Sequence, residues 1–97
     1  MSFITKDRIE VNEGISPIGS VELSGLKDLL EVGKNYELIL KNERGIPFDC
    51  LTLPSDKIPG VALRKLQEYQ VGNVVVAPVG VYEILEKEWG AQQRRER

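Results

Sequence analysis

The sequence predicts an α+β domain: a small mixed or antiparallel sheet built on a central β-hairpin, about residues 35–53, covered by helices near 59–71 and 81–91. Three observations point there. Two β-prone runs, Tyr36 to Leu40 and Ile46 to Leu53, flank the polar Asn42-Glu43-Arg44-Gly45, whose glycine lets the chain reverse. Ala62, Leu63, Leu66 and Tyr69 recur at helical spacing, opposite Arg64, Lys65 and Glu68. Asn73 to Val79 is apolar on both parities, the mark of a strand covered on both faces. A hairpin alone is marginal in water, so the remaining chain must roof its apolar side, with both of these helices expected on one face of the sheet.

Taken in order, Phe3, Ile9 and Val11 share one parity and predict a first strand, with Asn12-Glu13-Gly14 as the turn after it. Ile15 to Gly19 reads as an extended connection, because Pro17 biases Ser16 away from helix. Val21 and Leu23 predict a short second strand. Ser24 is placed to cap a two-turn helix whose Leu26, Leu29 and Leu30 fall on one face, with Gly33 as its left-handed stop. In the hairpin's second arm Pro47 lacks the amide hydrogen of a central strand and predicts a sheet edge. Pro59 suits the first turn of the next helix, which Gly72 closes, and Pro78 interrupts the strand that follows. Val81, Ile84, Leu85 and Trp89 keep helical spacing, and Glu83 with Lys87 forms an i, i+4 pair, so the last element is read as a helix over 81–91. Residues 1–91 are expected to form one domain, and 92–97 a frayed basic tail.

At 97 residues there is room for one core, and burial of roughly 60 to 70% of the unfolded surface suffices without disulfides or metal. Composition is ordinarily globular, with 41% hydrophobic and 29% charged residues. Cys50 has no partner for an internal disulfide, and nothing reads as a signal peptide, so a reducing, cytoplasmic setting is expected. Val74 to Val81 is too short an apolar run to span a bilayer. The formal charge of −2 divides unevenly: residues 1–90 carry ten basic and fourteen acidic side chains, and the last seven residues carry three arginines and one glutamate. An acidic body argues against a broad phosphate-binding face.

The sequence assembles no chemistry. It has no histidine, the commonest general base and metal ligand. Cys50 follows Asp49, and a neighbouring carboxylate opposes thiolate formation. Glu83, Glu86 and Glu88 read as a solvated helix face. Glycines 14, 19 and 25 fit neither phosphate-binding fingerprint. The chain is therefore expected to be non-enzymatic and to need no cofactor.

What remains is recognition. Pro47, Phe48 and Leu51 beside an edge strand, with Trp89 near the C-terminus, are the candidate protein-binding residues, since aromatic anchors and strand edges are common materials of recognition. The expected function is a small regulatory or interaction module acting through protein contacts, with homodimerisation as one form. The alternative is a nucleic-acid-binding dimer that presents Lys34, Lys41, Arg44 and the tail arginines Arg94, Arg95 and Arg97 on one side.

A helix, then Val-Gly, then a strand runs from Leu26 through Val32-Gly33, and again from Leu63 through Val71-Gly72. An internal duplication and the ordinary use of glycine as a helix terminator both account for this echo. The cadence over Leu26 to Leu40 resembles the swapped-hairpin transcription factors, and that resemblance implies a dimer binding DNA through basic loops. This chain departs from that pattern in its acidity and its length, and is assigned to no family on it.

Overall fold

The computed structural model describes residues 8–69 and 72–95, with side chains through residue 88. The elements are β1 (Arg8–Glu13), β2 (Ser16–Glu22), α1 (Leu23–Leu29), β3 (Asn35–Lys41), β4 (Pro47–Pro54), α2 (Ile58–Glu68), β5 (Asn73–Pro78) and α3 (Val81–Arg95). They form the expected α+β fold, with an open five-stranded sheet in the order β2-β1-β5-β3-β4. β1 and β5 run parallel, and every other neighbouring pair is antiparallel.

The central hairpin forms where the sequence places it. Asn42 Oδ1 accepts the amides of Arg44 and Ile46 at 2.9 and 3.0 Å, and Gly45 takes φ +81° to complete a three-residue loop. Its second arm, β4, lies at a sheet edge as Pro47 predicts. β5 lies in the middle, which is why Val74 to Ala77 are all buried.

The two long helices cover opposite faces. Leu38, Leu40, Val74 and Val76 pack with Leu26 and Leu30 of the α1 end and with Ile58, Ala62 and Leu66 of α2. The alternate positions Ile39, Val75 and Ala77 pack under Val81, Tyr82 and Leu85 of α3. Reading α2 and α3 onto one face is therefore corrected: β3 and β5 are apolar on both parities, and each parity needs its own cover.

Several local expectations also change. β1 runs on through Glu13, and Gly14, with φ +63°, opens a two-residue turn into β2. The supposed connection Ser16 to Gly19 is part of that second strand. Leu23 opens α1 instead of ending a strand, and Glu22, not Ser24, holds the cap position, with no side-chain cap bond. Gly33 does not terminate the helix. It sits in a separate turn at φ +87°, closed by the Lys34 amide on the Glu31 carbonyl. Leu63 faces outward from α2, and α3 continues past Gly90 to Arg95, beyond both the expected helix end and the expected start of the tail. Phe3, Val71, Glu96 and Arg97 lie outside the described residues.

Candidate functional site

An open sheet has two edges, and recognition by strand pairing needs one of them bare. At β4 the register passes from Leu40 opposite Asp49 to Lys41 opposite Pro47, leaving Phe48 as a bulge. Phe48 is 48% exposed and meets the Tyr69 ring edge-on, with centroids 5.9 Å apart and planes at 82°. Lys65 lies 5.9 Å from the same ring's centroid. Pro47 is buried, and Leu51 is half-buried against the core. Asp49 accepts the Cys50 amide at 2.8 Å, engaging a backbone donor of the edge. The fourth candidate, Trp89, lies in α3, but its side chain is outside the described region.

The candidate cations are not gathered. Lys34 pairs with Glu31 at one end of β3, and Arg44 sits in the turn at the other, about 20 Å away at the usual rise per strand residue. Lys41 is largely buried, with its ammonium 3.8 Å from Glu10, and Asn73 Nδ2 donates to the same carboxylate at 2.8 Å. An ammonium held this way is occupied by the fold. Arg94 and Arg95 end α3 with side chains outside the described region.

Cys50 faces α3 beside Glu37. Burial first, and then the Glu37 carboxylate, push its thiol up to about 12. A group so poised is a poor nucleophile at neutral pH.

The sheet's other edge looks different. β2 is exposed along nearly its whole length, and its own bulge, where Val11 pairs with Gly19 and Asn12 with Pro17, throws Ile18 out of the ladder. Ile18 is 56% exposed and Leu29, at the end of α1, is 46% exposed; together they rim a cleft of about 250 Å³. Val11, Leu30, Tyr36 and Val76 form its apolar lining, at the carboxyl ends of the parallel strands β1 and β5. A second hollow of about 220 Å³ shares Leu30 and carries Val32, which is 97% exposed.

The first cleft also contains Asn12. Its residue is 5% exposed, and its Oδ1 has no hydrogen-bond partner among the described residues. Buried carboxamide oxygens are ordinarily satisfied, so this one stands apart. Sequence reasoning passed over Asn12, Ile18, Leu29 and Val32. The available signal was that apolar residues in Ile15-Ser16-Pro17-Ile18-Gly19 follow no period, as expected of side chains the fold itself does not bury.

No helix among the described residues is long and apolar enough to cross a membrane. No family model, curated protein or solved structure matches this chain.

Proposed function

We propose that this chain is a small, non-enzymatic interaction or regulatory module that binds protein in a cytoplasmic setting, with its contact surface at the β2 edge and the end of α1. One observation carries the reading: Ile18, Leu29 and Val32 stand exposed around two adjoining hollows that share Leu30. Large apolar side chains grouped around a depression mark contact sites, and a partner that covers them gains the transfer energy the fold leaves unused. The β2 edge adds a row of backbone groups for pairing. A second copy of this chain is one partner that fits, because an antiparallel edge strand pairs with its own image about a twofold axis.

The test compares wild type with the double variant Ile18→Glu and Leu29→Glu in quantitative capture from source cells, together with sedimentation velocity. Loss of one recovered partner, or of a dimer, in the double variant alone supports the reading. Equal recovery and equal mass overturn it. Labelled DNA or RNA that binds at low salt and is released steeply at higher salt would favour the alternative built on Lys34, Lys41, Arg44 and the C-terminal arginines.

A further inference from the structure

Val32 is the most exposed large apolar side chain among the described residues, yet the turn that carries it is braced on both sides. The Glu31 amide donates to the Tyr36 hydroxyl at 2.8 Å, and the Lys34 amide donates to the Glu31 carbonyl at 3.2 Å. The Ser55 amide donates to the Lys34 carbonyl at 3.0 Å, tying the turn to the chain just after β4, while Leu30 anchors its near end in the core. A turn held this way presents its apolar tip as a preformed knob, so little order is left to impose when a partner receives it.

A hole lies beside the knob. The cleft of about 250 Å³ shares Leu30 with the hollow that Val32 lines, and Val11, Tyr36 and Val76 make its wall apolar. It is open to solvent as it stands, with Ile18 and Leu29 exposed at its rim, and a valine side chain is small against that volume. Charge is divided in the same way. Glu13 lines the cleft and Lys27 lines the hollow beside Val32; both are exposed, and neither is in an ion pair among the described residues. Glu31 and Lys34, on either side of Val32, pair with each other and add no net charge.

We infer that the partner at this surface is a second copy of this chain, docked about a twofold axis so that Val32 of each copy enters the other's cleft and Lys27 of each meets the other's Glu13. One patch carries knob and hole together, and both signs of unpaired charge, which is what an isologous contact requires and what a different partner would not. Asp56, the other charge on the hollow, is repelled by Glu13, so the register that sets Lys27 over Glu13 is favoured over its neighbours. The inference rests on the protein-contact reading and names the partner of that site.

The experiment mixes two full-chain variants, Ile18→Cys and Val32→Cys, each also carrying Cys50→Ala, under mild oxidation. A disulfide-linked dimer is expected in the mixture and in neither variant alone, because the twofold axis sets position 18 against position 32 and neither against itself. Sedimentation equilibrium adds the affinity. Val32→Asp, at a position the fold does not bury, is expected to weaken dimerisation roughly tenfold or more. Glu13→Lys and Lys27→Glu are each expected to weaken it, and the two in one chain to restore it. No linked dimer in the mixture, a dimer that Val32→Asp leaves intact, or a charge exchange that restores nothing overturns the inference. A linked dimer from Ile18→Cys alone also overturns it, in favour of edge-to-edge pairing of β2. A monomeric wild type that still captures another protein, lost in the Ile18→Glu and Leu29→Glu variant, overturns the second copy and leaves the contact reading standing.

Discussion

The carboxylate of Glu37, in the interior strand β3, accepts the backbone N–H of Tyr82 at 2.9 Å across 45 residues of sequence. Tyr82 lies in the first turn of α3, where amides lack intrahelical partners and a negative charge is favourable. The sheet itself therefore caps the helix that covers it, and Glu37 is 8% exposed in doing so. Glu37→Ala is expected to lower stability by about 1 to 2 kcal/mol in urea unfolding. Hydrogen exchange checks the mechanism: the Tyr82 amide should lose protection in the variant before the β5 amides do, and Glu37→Gln, which keeps an acceptor, should lose less.

Cys50 should be slow to react in the folded chain. A thiol pushed from 9.0 up to about 12, by burial first and the Glu37 carboxylate next, holds roughly a thousandfold less thiolate below pH 9 than an ordinary one. Alkylation at about pH 8 should therefore accelerate sharply on unfolding. The sign for stability follows from the same shift: between 9.0 and about 12 the unfolded thiol is ionised and the folded one is not, so stability falls as pH rises through that window. The difference between wild type and Cys50→Ala isolates the thiol, and below pH 9 that difference should be flat.

Two glycines should respond in opposite directions to alanine. A Cβ on Gly72 would stand 2.6 Å from the Lys41 carbonyl oxygen, a backbone atom at the end of β3, so Gly72→Ala is expected to cost about 1 to 3 kcal/mol. Gly60, in the first turn of α2, has nothing within 4 Å of that position and no left-handed backbone. Gly60→Ala should stabilise by about 0.4 to 1 kcal/mol, chiefly by restricting the unfolded chain. Urea midpoints of both variants check the pair.

The hairpin turn depends on one side chain. Asn42→Ala removes the acceptor for two amides, at Arg44 and Ile46, and should cost about 1 to 2 kcal/mol in the same assay. Asn42→Asp, which keeps the acceptor oxygens, should recover most of it.

How much of this was legible follows from where the burial comes from. Asn42 to Gly45 announced a turn through local chemistry, and Val74 to Ala77 announced a covered strand through composition; both are as expected. The i, i+4 pair of Glu83 and Lys87 also forms, at 3.5 Å. Only the Val21 end of β2 was legible as strand; Ser16 to Ser20 gave no signal because an edge strand bare on both faces has no apolar alternation to read. Asn12 looked like a turn residue, and its burial comes from β1 pairing with β5, a partner more than half the chain away, which local pattern does not encode. Lys41 looked like a free cation for a similar reason, since Glu10 and Asn73 reach it only once the sheet has formed. Phe48, Pro47 and Leu51 were correctly placed at an edge, but the bulge and the buried proline leave Phe48 as the outward-facing member of the three.

The claim that recognition happens at the β2 and α1 end is tested most directly by site-specific photo-crosslinking in source cells, with Ile18→p-benzoylphenylalanine and, as a control on the exposed side of α2, Gln67→p-benzoylphenylalanine. A discrete adduct of higher mass, containing a second copy or another protein, is predicted at position 18 and not at 67. Illumination that yields no adduct at 18, or the same adducts at both positions, contradicts the account.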